Sequence, residues 1–384
     1  MVLRNVNIIG QAGLSHIHTR AEKIVSVFPE ENKIPVNEEI IDCGGAIVFP
    51  GLINSHDHLE FNLFSQLGNR IYKNYTEWGD DIHKNNKEEI SKVLEIPLSL
   101  RIQWGLYKNL LNGVTTVVNH GEKLKIENDL ITVFQNCYSL HSPAFEKNWK
   151  WKLNLAVRKK IPFVMHLGEG TDEHASKEID TVIRWNYFKR NIIAVHGVTM
   201  NINQARHFKA LVWCPASNIY LLGQTARVEK LGSATQILFG TDSTLTATWN
   251  AWEQIRLAKK QNKLSDEELF LALTAKAAAI WGLNTGELAG GKYADIVVAK
   301  RKEGQGWNNF FSNDPEDILL VFHKGVPKLV DERFYHQFKP GSPGQDTFRH
   351  VQVKGNGKYL WGDLPALANE IKKFYPGVLF PVNY

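Results

Sequence analysis

Cysteine is scarce in this chain and follows no pattern. Cys43, Cys137 and Cys214 are far apart, odd in number, and none belongs to a Cys-x-x-Cys pair. That sets aside a disulfide framework and a cysteine-held zinc site, and it points to a reducing compartment. No apolar stretch reaches the roughly 18 residues that a membrane helix requires. The opening segment, MVLRNVNIIGQAGLSHIHTR, has no uninterrupted apolar core of secretory type, so the expected location is the cytoplasm. Long runs of like charge are missing as well. The 45 basic and 40 acidic residues are interspersed and leave a formal net charge of +5, which gives no footing for a nucleic-acid partner. The small basic excess suits an anionic substrate, and equally an ordinary solubilising surface. There is no internal repeat and no low-complexity tract.

The material present is that of a large core. The 384 residues exceed one small domain, and the hydrophobic fraction is 43%. A TIM barrel takes about 250 residues, which leaves enough chain for an accessory domain. Residues 1–47 read as short strands, with VNIIG, KIVSVF and AIVFP separated by polar turns. Residues 87–112 carry apolar positions at helical spacing, and GVTTVVNHG (113–121) reads as a buried strand ending in a loop. Apolar runs then alternate with helical stretches. The runs are IPFVMHLGEG (161–170), NIIAVHGV (191–198), ALVWCP (210–215) and QILFGTD (236–242), and the helices are expected at 174–188, 201–209 and 265–282. Ser265 with Glu268 three residues on is a capping-box signature for the last of these. Repeated strand–helix alternation implies a parallel sheet, and this many units imply its closure into a barrel.

Strand and turn grammar returns at 286–299 and 319–330. The expected organisation is therefore a composite β-sandwich domain from residues 1–47 and 286–340, a barrel over 48–285, and a C-terminal extension over 341–384. Residues 338–357 read as loop, and 363–374 as helix.

Chemistry-bearing residues stand at the ends of the apolar runs. His56 and His58 flank Asp57; alternate residues of a strand point the same way, so both imidazoles can reach one metal ion. His166 ends FVMH, His196 ends IIAVH, and Asp242 ends ILFGTD. In a TIM barrel all strand C-termini open on one face, so these side chains converge there. Glu169 follows His166 by three residues, on a loop suited to a proton shuttle. His120 and His141 also follow strand-like runs, and His141 is a candidate for substrate contact beside Ser142-Pro143. Eight other histidines (16, 18, 83, 174, 207, 323, 336 and 350) lie in polar stretches and read as surface. Trp78, Trp104, Trp213 and Trp249 are candidates for a flat aromatic pocket.

As a set, VFPGLINSHDHLEF (48–61), GVTTVVNHG, HLGE (166–169), VHGV (195–198), VWCPASNIYL (212–221), LFGTDS (238–243) and GELAGGKYADIVV (286–298) resemble the amidohydrolase superfamily. The resemblance covers roughly residues 1–330 and is nearest to the cytosine and guanine deaminase and triazine hydrolase branch. It implies a distorted TIM barrel with a β-sandwich built from both chain ends, and it tilts the expectation towards a homodimer. It implies that His56, His58, His166 and Asp242 bind one divalent metal, Zn or Fe. His196 would ligate the metal or hydrogen-bond substrate and water, Glu169 and Asp242 would move protons, and His141, His196 and Asn218, with Ser217, would contact the substrate. A single ion is expected, because residues 121–160 offer no strand-end lysine to bridge a pair.

The sequence departs from the pattern in three places. Gly168 stands where relatives often have alanine, Asn119-His120 ends the second strand, and 121–160 is short for two strands and a helix. The expected reaction is hydrolysis of a non-peptide C–N bond, as deamination of a small aminated heterocycle by metal-bound hydroxide. Hydrolysis of a cyclic amide or loss of another leaving group such as halide remains open, as does a barrel that only binds a ligand.

Overall fold

The computed structural model describes residues 1–126, 129–155, 160–304, 306–338 and 347–384. Its strands, in chain order, are β1 (Val2–Ile8), β2 (Ser15–Arg20), β3 (Lys23–Phe28), β4 (Ile40–Asp42), β5 (Ile47–Pro50), β6 (Leu52–Asp57), β7 (Val114–Asn119), β8 (Thr132–Phe134), β9 (Tyr138–Ser139), β10 (Phe163–Leu167) and β11 (Ile192–His196). They continue with β12 (Ala210–Trp213), β13 (Gln236–Phe239), β14 (Ile296–Ala299), β15 (Ile318–His323), β16 (Val326–Asp331), β17 (Phe348–Val353), β18 (Asn356–Trp361) and β19 (Val382–Asn383).

Every residue of β6, β7, β10, β11 and β12 is buried. Parallel strands covered on both faces need such continuous apolar runs. β6–β7–β8 pair in parallel, and so do β9–β10–β11–β12–β13. Chain leaving β13 meets β6 again, where Asp242 N donates to His56 O at 3.0 Å. Gly240 permits this approach, since a Cβ there would lie 2.7 Å from His56 Cβ. The result is a distorted TIM barrel.

The distortion lies where the sequence is short. Only residues 135–137 separate β8 from β9, whereas a crossover between parallel neighbours takes about a dozen residues. No helix intervenes, so β8 pairs with β7 and β9 with β10, and the two segments together fill one gap in the wall.

Three helical expectations change. Pro97 divides 87–112 into Lys87–Leu94 and Leu98–Leu111, because its ring and missing N–H end one helix and open the next. The 201–209 stretch holds only Ile202–Ala205. The 265–282 stretch breaks at Thr274, whose hydroxyl donates to Phe270 O, into Asp266–Ala272 and Ala275–Trp281. The Ser265–Glu268 capping box is present.

The remaining strands form one sheet in the order β19-β17-β18-β16-β15-β14-β5-β1-β2-β3, with β4 on β1. Leu3, Val6, Ile17 and Ile41 share a core with Ile296, Leu320 and Phe322, so the two halves of the sheet pack as one unit. The hairpin β17–β18 replaces much of the loop expected at 338–357; residues 339–346 lie outside the described residues. It is held by Lys358, fully buried, which donates to Asp331 at 2.6 Å and to the carbonyls of Glu316 and Ile318. The expected C-terminal helix is Leu364–Phe374, capped by Asp363.

Three histidines read as surface are buried. His16 and His18 lie on β2, and His18 Nε2 meets Glu38 at 3.0 Å; His323 on β15 meets Asp295 at 2.9 Å. The run SHIHTR looks polar but alternates as a strand, and its polar atoms find partners. No helix among the described residues is long and apolar enough to cross a membrane.

Sheet and barrel meet at Phe310, whose ring centroid lies 5.1 Å from those of Phe49 and Trp252 and 5.0 Å from that of Phe270. Phe310→Ala is expected to cost about 3–5 kcal/mol, since a fully buried ring leaves a cavity its neighbours cannot fill. A shift of the denaturant midpoint at unchanged slope will measure it.

Candidate active site

Four polar side chains meet where β6, β10 and β13 end. His56 and His58 project to one side of β6, their ring centroids 5.0 Å apart. His166 Nε2 lies 3.2 Å from His56 Nε2, and Asp242 Oδ1 lies 3.7 Å from Nε2 of both His56 and His58. Ligands held tetrahedrally at about 2.0–2.2 Å from zinc stand roughly 3.3–3.6 Å from one another. The donor set therefore fits a divalent metal in type, and these three separations come close to that spacing. His56, His196 and Asp242 also form a group able to hold an ion.

Two of these side chains are aimed by unusual backbone. His196 takes φ 72° and Asp242 takes φ 56°. The left-handed region disfavours non-glycine residues, and such conformations persist only where the surroundings enforce them. Asp242 is enforced through its carboxylate: Ser217 Oγ donates at 2.8 Å, Thr246 Oγ1 at 3.2 Å and Ser243 N at 2.8 Å.

His196 has a defined tautomer. Asn218 gives its amide N–H to Thr225 at 3.2 Å, which leaves its carbonyl oxygen to accept from His196 Nδ1 at 2.8 Å. Neutral His196 thus keeps an unprotonated Nε2, which faces Glu169 Oε2 at 3.5 Å. Burial lowers the His196 pKa to about 4, and lowers His56 and His166 as well, so these imidazoles are neutral and able to ligate. Burial has the opposite effect on Glu169, and the charges of Asp242 and Glu178 add to it; its carboxyl is held well above the usual range. Burial would raise Asp242 too, but the hydrogen bond and charge of His56, with His196 and His58, pull it well below the usual range.

Gly168 has a local reason. It takes φ 63°, and a Cβ there would lie 2.7 Å from Ile179 Cδ1. Glycine lets the 166–169 loop turn so that Glu169 points into the site.

The structure brings His56, His58, His166, His196, Asp242, Glu169 and His141 around one cavity, with Ser217 and Asn218 behind it. Trp78 lines that cavity, whereas Trp104, Trp213 and Trp249 do not. His120 is drawn in more closely than its sequence position indicates. It is 1% exposed, and its ring stacks on His166 at 4.3 Å and 15°. His120 forms with His56 and His166 a second group whose donor atoms all lie within 4.8 Å of one another.

Lys108 carried no signal in the sequence. It sits mid-helix in Leu98–Leu111, 1% exposed, with Nζ 3.2 Å from Asp57 Oδ2 and donating to Asn62 Oδ1 at 2.9 Å and Asp242 O at 3.3 Å. Asn109 and Asn62 donate to the same Asp57 carboxylate at 2.8 and 2.9 Å. Asp57 faces away from the histidines that flank it, so one strand end serves the cluster on one side and this ion pair on the other.

Two outcomes follow. Lys108→Met strands a buried carboxylate and is expected to cost about 3–5 kcal/mol, with weaker metal retention on dialysis; unchanged unfolding and metal content would refute the role. Glu178, buried under the 166–169 loop and bonded to Tyr75 OH at 2.6 Å, has its pKa raised by burial to about 7. Between pH 4.5 and 7 the folded state holds a proton that the unfolded chain has lost, so stability falls as pH rises across that window, by at most about 3 kcal/mol. Denaturation of Glu178→Gln at several pH values should show that slope reduced.

Comparison with known proteins places the chain among similar sequences and folds. The amidohydrolase family model matches residues 141–328. A 5'-deoxyadenosine deaminase from Methanococcus aeolicus is 25% identical over 334 residues, covering 71% of this chain and 78% of that protein. A 5-methylthioadenosine/S-adenosylhomocysteine deaminase from Pyrococcus furiosus is 22% identical over 360 residues, covering 74% and 82%. The crystal structure of a zinc-bound adenosine deaminase from Xanthomonas campestris superimposes with a TM-score of 0.72 at 16% identity, covering 98% of this chain and 97% of that one, which shows the shared fold. Motifs, fold and the family match over residues 141–328 agree, and the chain resembles the amidohydrolase family.

Proposed function

We propose that this protein is a metal-dependent hydrolase that deaminates a small aminated heterocycle. The observation that carries the reading is the placement of Glu169, buried beside the donor cluster with its carboxyl pushed towards the neutral form, 3.5 Å from His196 Nε2. An amine departs from an sp² carbon only after it is protonated; a halide needs no proton. A carboxyl group kept neutral in a dry pocket is the device that such a leaving group requires. The names of the two sequence relatives, a 5'-deoxyadenosine deaminase and a 5-methylthioadenosine/S-adenosylhomocysteine deaminase, support the same reaction class.

In this reading His56, His58, His166 and Asp242 hold zinc, the metal bound in the Xanthomonas relative. A divalent ion there supplies a water acidic enough to ionise near neutral pH. Asp242, fixed by Ser217 and Thr246, accepts the proton that this water loses. His196 accepts a hydrogen bond through Nε2 and orients the attacking water; Asn218 holds it in that tautomer. Glu169 would give its proton to the ring nitrogen; the proton taken up by Asp242 would pass to the amine, which leaves as ammonia, while the hydroxyl proton of the adduct returns to Glu169 as the carbonyl forms. His141, whose ring lies 4.9 Å from that of His166, stands at the mouth as a substrate contact.

Glu169→Gln is expected to retain its metal and to lose about 10²–10⁴-fold in turnover, measured by elemental analysis alongside ammonia release. Near-normal turnover would remove the shuttle assignment. The His56→Ala/His58→Ala double variant is expected to purify without stoichiometric metal; full metal content would remove the ligand assignment.

A further inference from the structure

The cavity above the donor cluster holds about 380 Å³. Away from the metal end its wall is Phe61, Phe64, Tyr75, Trp78, Ile82 and Leu245. Tyr75 gives its hydroxyl to Glu178 at 2.6 Å, and Trp78 gives its indole N–H to Leu67 O at 2.8 Å. Both rings therefore present only carbon to the cavity. Thr246, also on the wall, spends its hydroxyl on Asp242 at 3.2 Å.

Beyond the metal end, the charged lining groups are Asp80 and His83, both exposed on the helix Tyr75–Asn85, while the polar side chains of His141 and Ser243 stay close to the donor cluster. No lysine or arginine among the described residues lines the space. A sugar seated here would turn its hydroxyls towards carbon, and a carboxylate would find no fixed cation and would meet Asp80 at the mouth. Buried polar groups left without partners weaken binding.

We infer that the heterocycle this site takes carries an uncharged, apolar substituent, alkyl or aryl, in place of a sugar or an amino-acid tail. The reaction at the ring rests on the deaminase reading; the substituent preference rests on the wall alone. The same wall gives room: Phe64, Tyr75 and Ile82 are buried, whereas Phe145 and Leu94 are about half exposed at the rim, so the apolar surface runs from the metal end to the mouth.

The test uses the zinc-loaded protein with 9-methyl-, 9-butyl- and 9-benzyladenine, the matching 1-alkylcytosines, adenosine and S-adenosylhomocysteine. Affinity is measured by calorimetry and ammonia release by a coupled assay. Affinity should rise about three- to fourfold per buried methylene, hence roughly thirty- to sixtyfold from methyl to butyl. Adenosine and S-adenosylhomocysteine should bind more weakly than the butyl compound.

Ile82→Asn, with zinc content and circular dichroism as checks on folding, should flatten the rise. Tail-dependent binding without ammonia release would sink the deaminase reading and still support the apolar substituent. Affinity independent of chain length, absence of binding by the butyl and benzyl members of both series, or preference for S-adenosylhomocysteine would overturn the inference, whether or not ammonia is released.

Discussion

The buried ion pair of Lys108 and Asp57 ties together the three pieces of chain on which the site depends. Asp57 belongs to β6, between the two histidines; Lys108 belongs to the helix that leads into β7; and the Lys108 ammonium also reaches the carbonyl of Asp242 past the end of β13. Asn62 and Asn109 complete the cage from either side. A buried charge is tolerated only when paired and hydrogen-bonded throughout. That requirement locks the first and last barrel strands together, and it is the same closure that sets His56 and His58 against Asp242.

Burial sets the protonation states on the open side of these strands. One cause, loss of water, keeps the imidazoles neutral and pushes Glu169 towards the neutral form, because desolvation disfavours whichever form is charged. Asp242 escapes only because the histidines surround it. The arrangement has a cost in stability: Glu178, packed beneath the loop that carries Glu169, is itself a carboxyl group that burial pushes towards neutrality. The left-handed backbone at His196 and Asp242 belongs to the same account, since both residues are held in poor conformations by the contacts that aim them.

Where the sequence reading and the structure part, local pattern lost to an interaction it could not see. Pro97 and Thr274 split stretches whose apolar spacing reads as continuous helix. Residues 348–361 have a composition suited to a loop, yet they pair as a hairpin because β16 offers an edge and Lys358 finds Asp331. His16, His18 and His323 look like surface residues until cross-strand partners bury them. His120 is marked in the sequence only by the strand-like run it follows, and the curvature of the barrel lays it on His166.

The sequence alone determined the barrel class and the list of polar residues at strand ends. Apolar runs of strand length record burial on both faces, and a histidine or aspartate directly after such a run can only be at a strand terminus. Tertiary structure alone decided how those termini meet: the 3.2 Å approach of His166 to His56 and the 3.7 Å approach of Asp242 to His56 and His58, the His196 tautomer set by Asn218, and the carbon-only faces that Tyr75 and Trp78 turn to the cavity. Periodicity reports which face of an element is buried. It carries no information on which distant group will accept a given proton, because that depends on the closure of strands far apart in the chain.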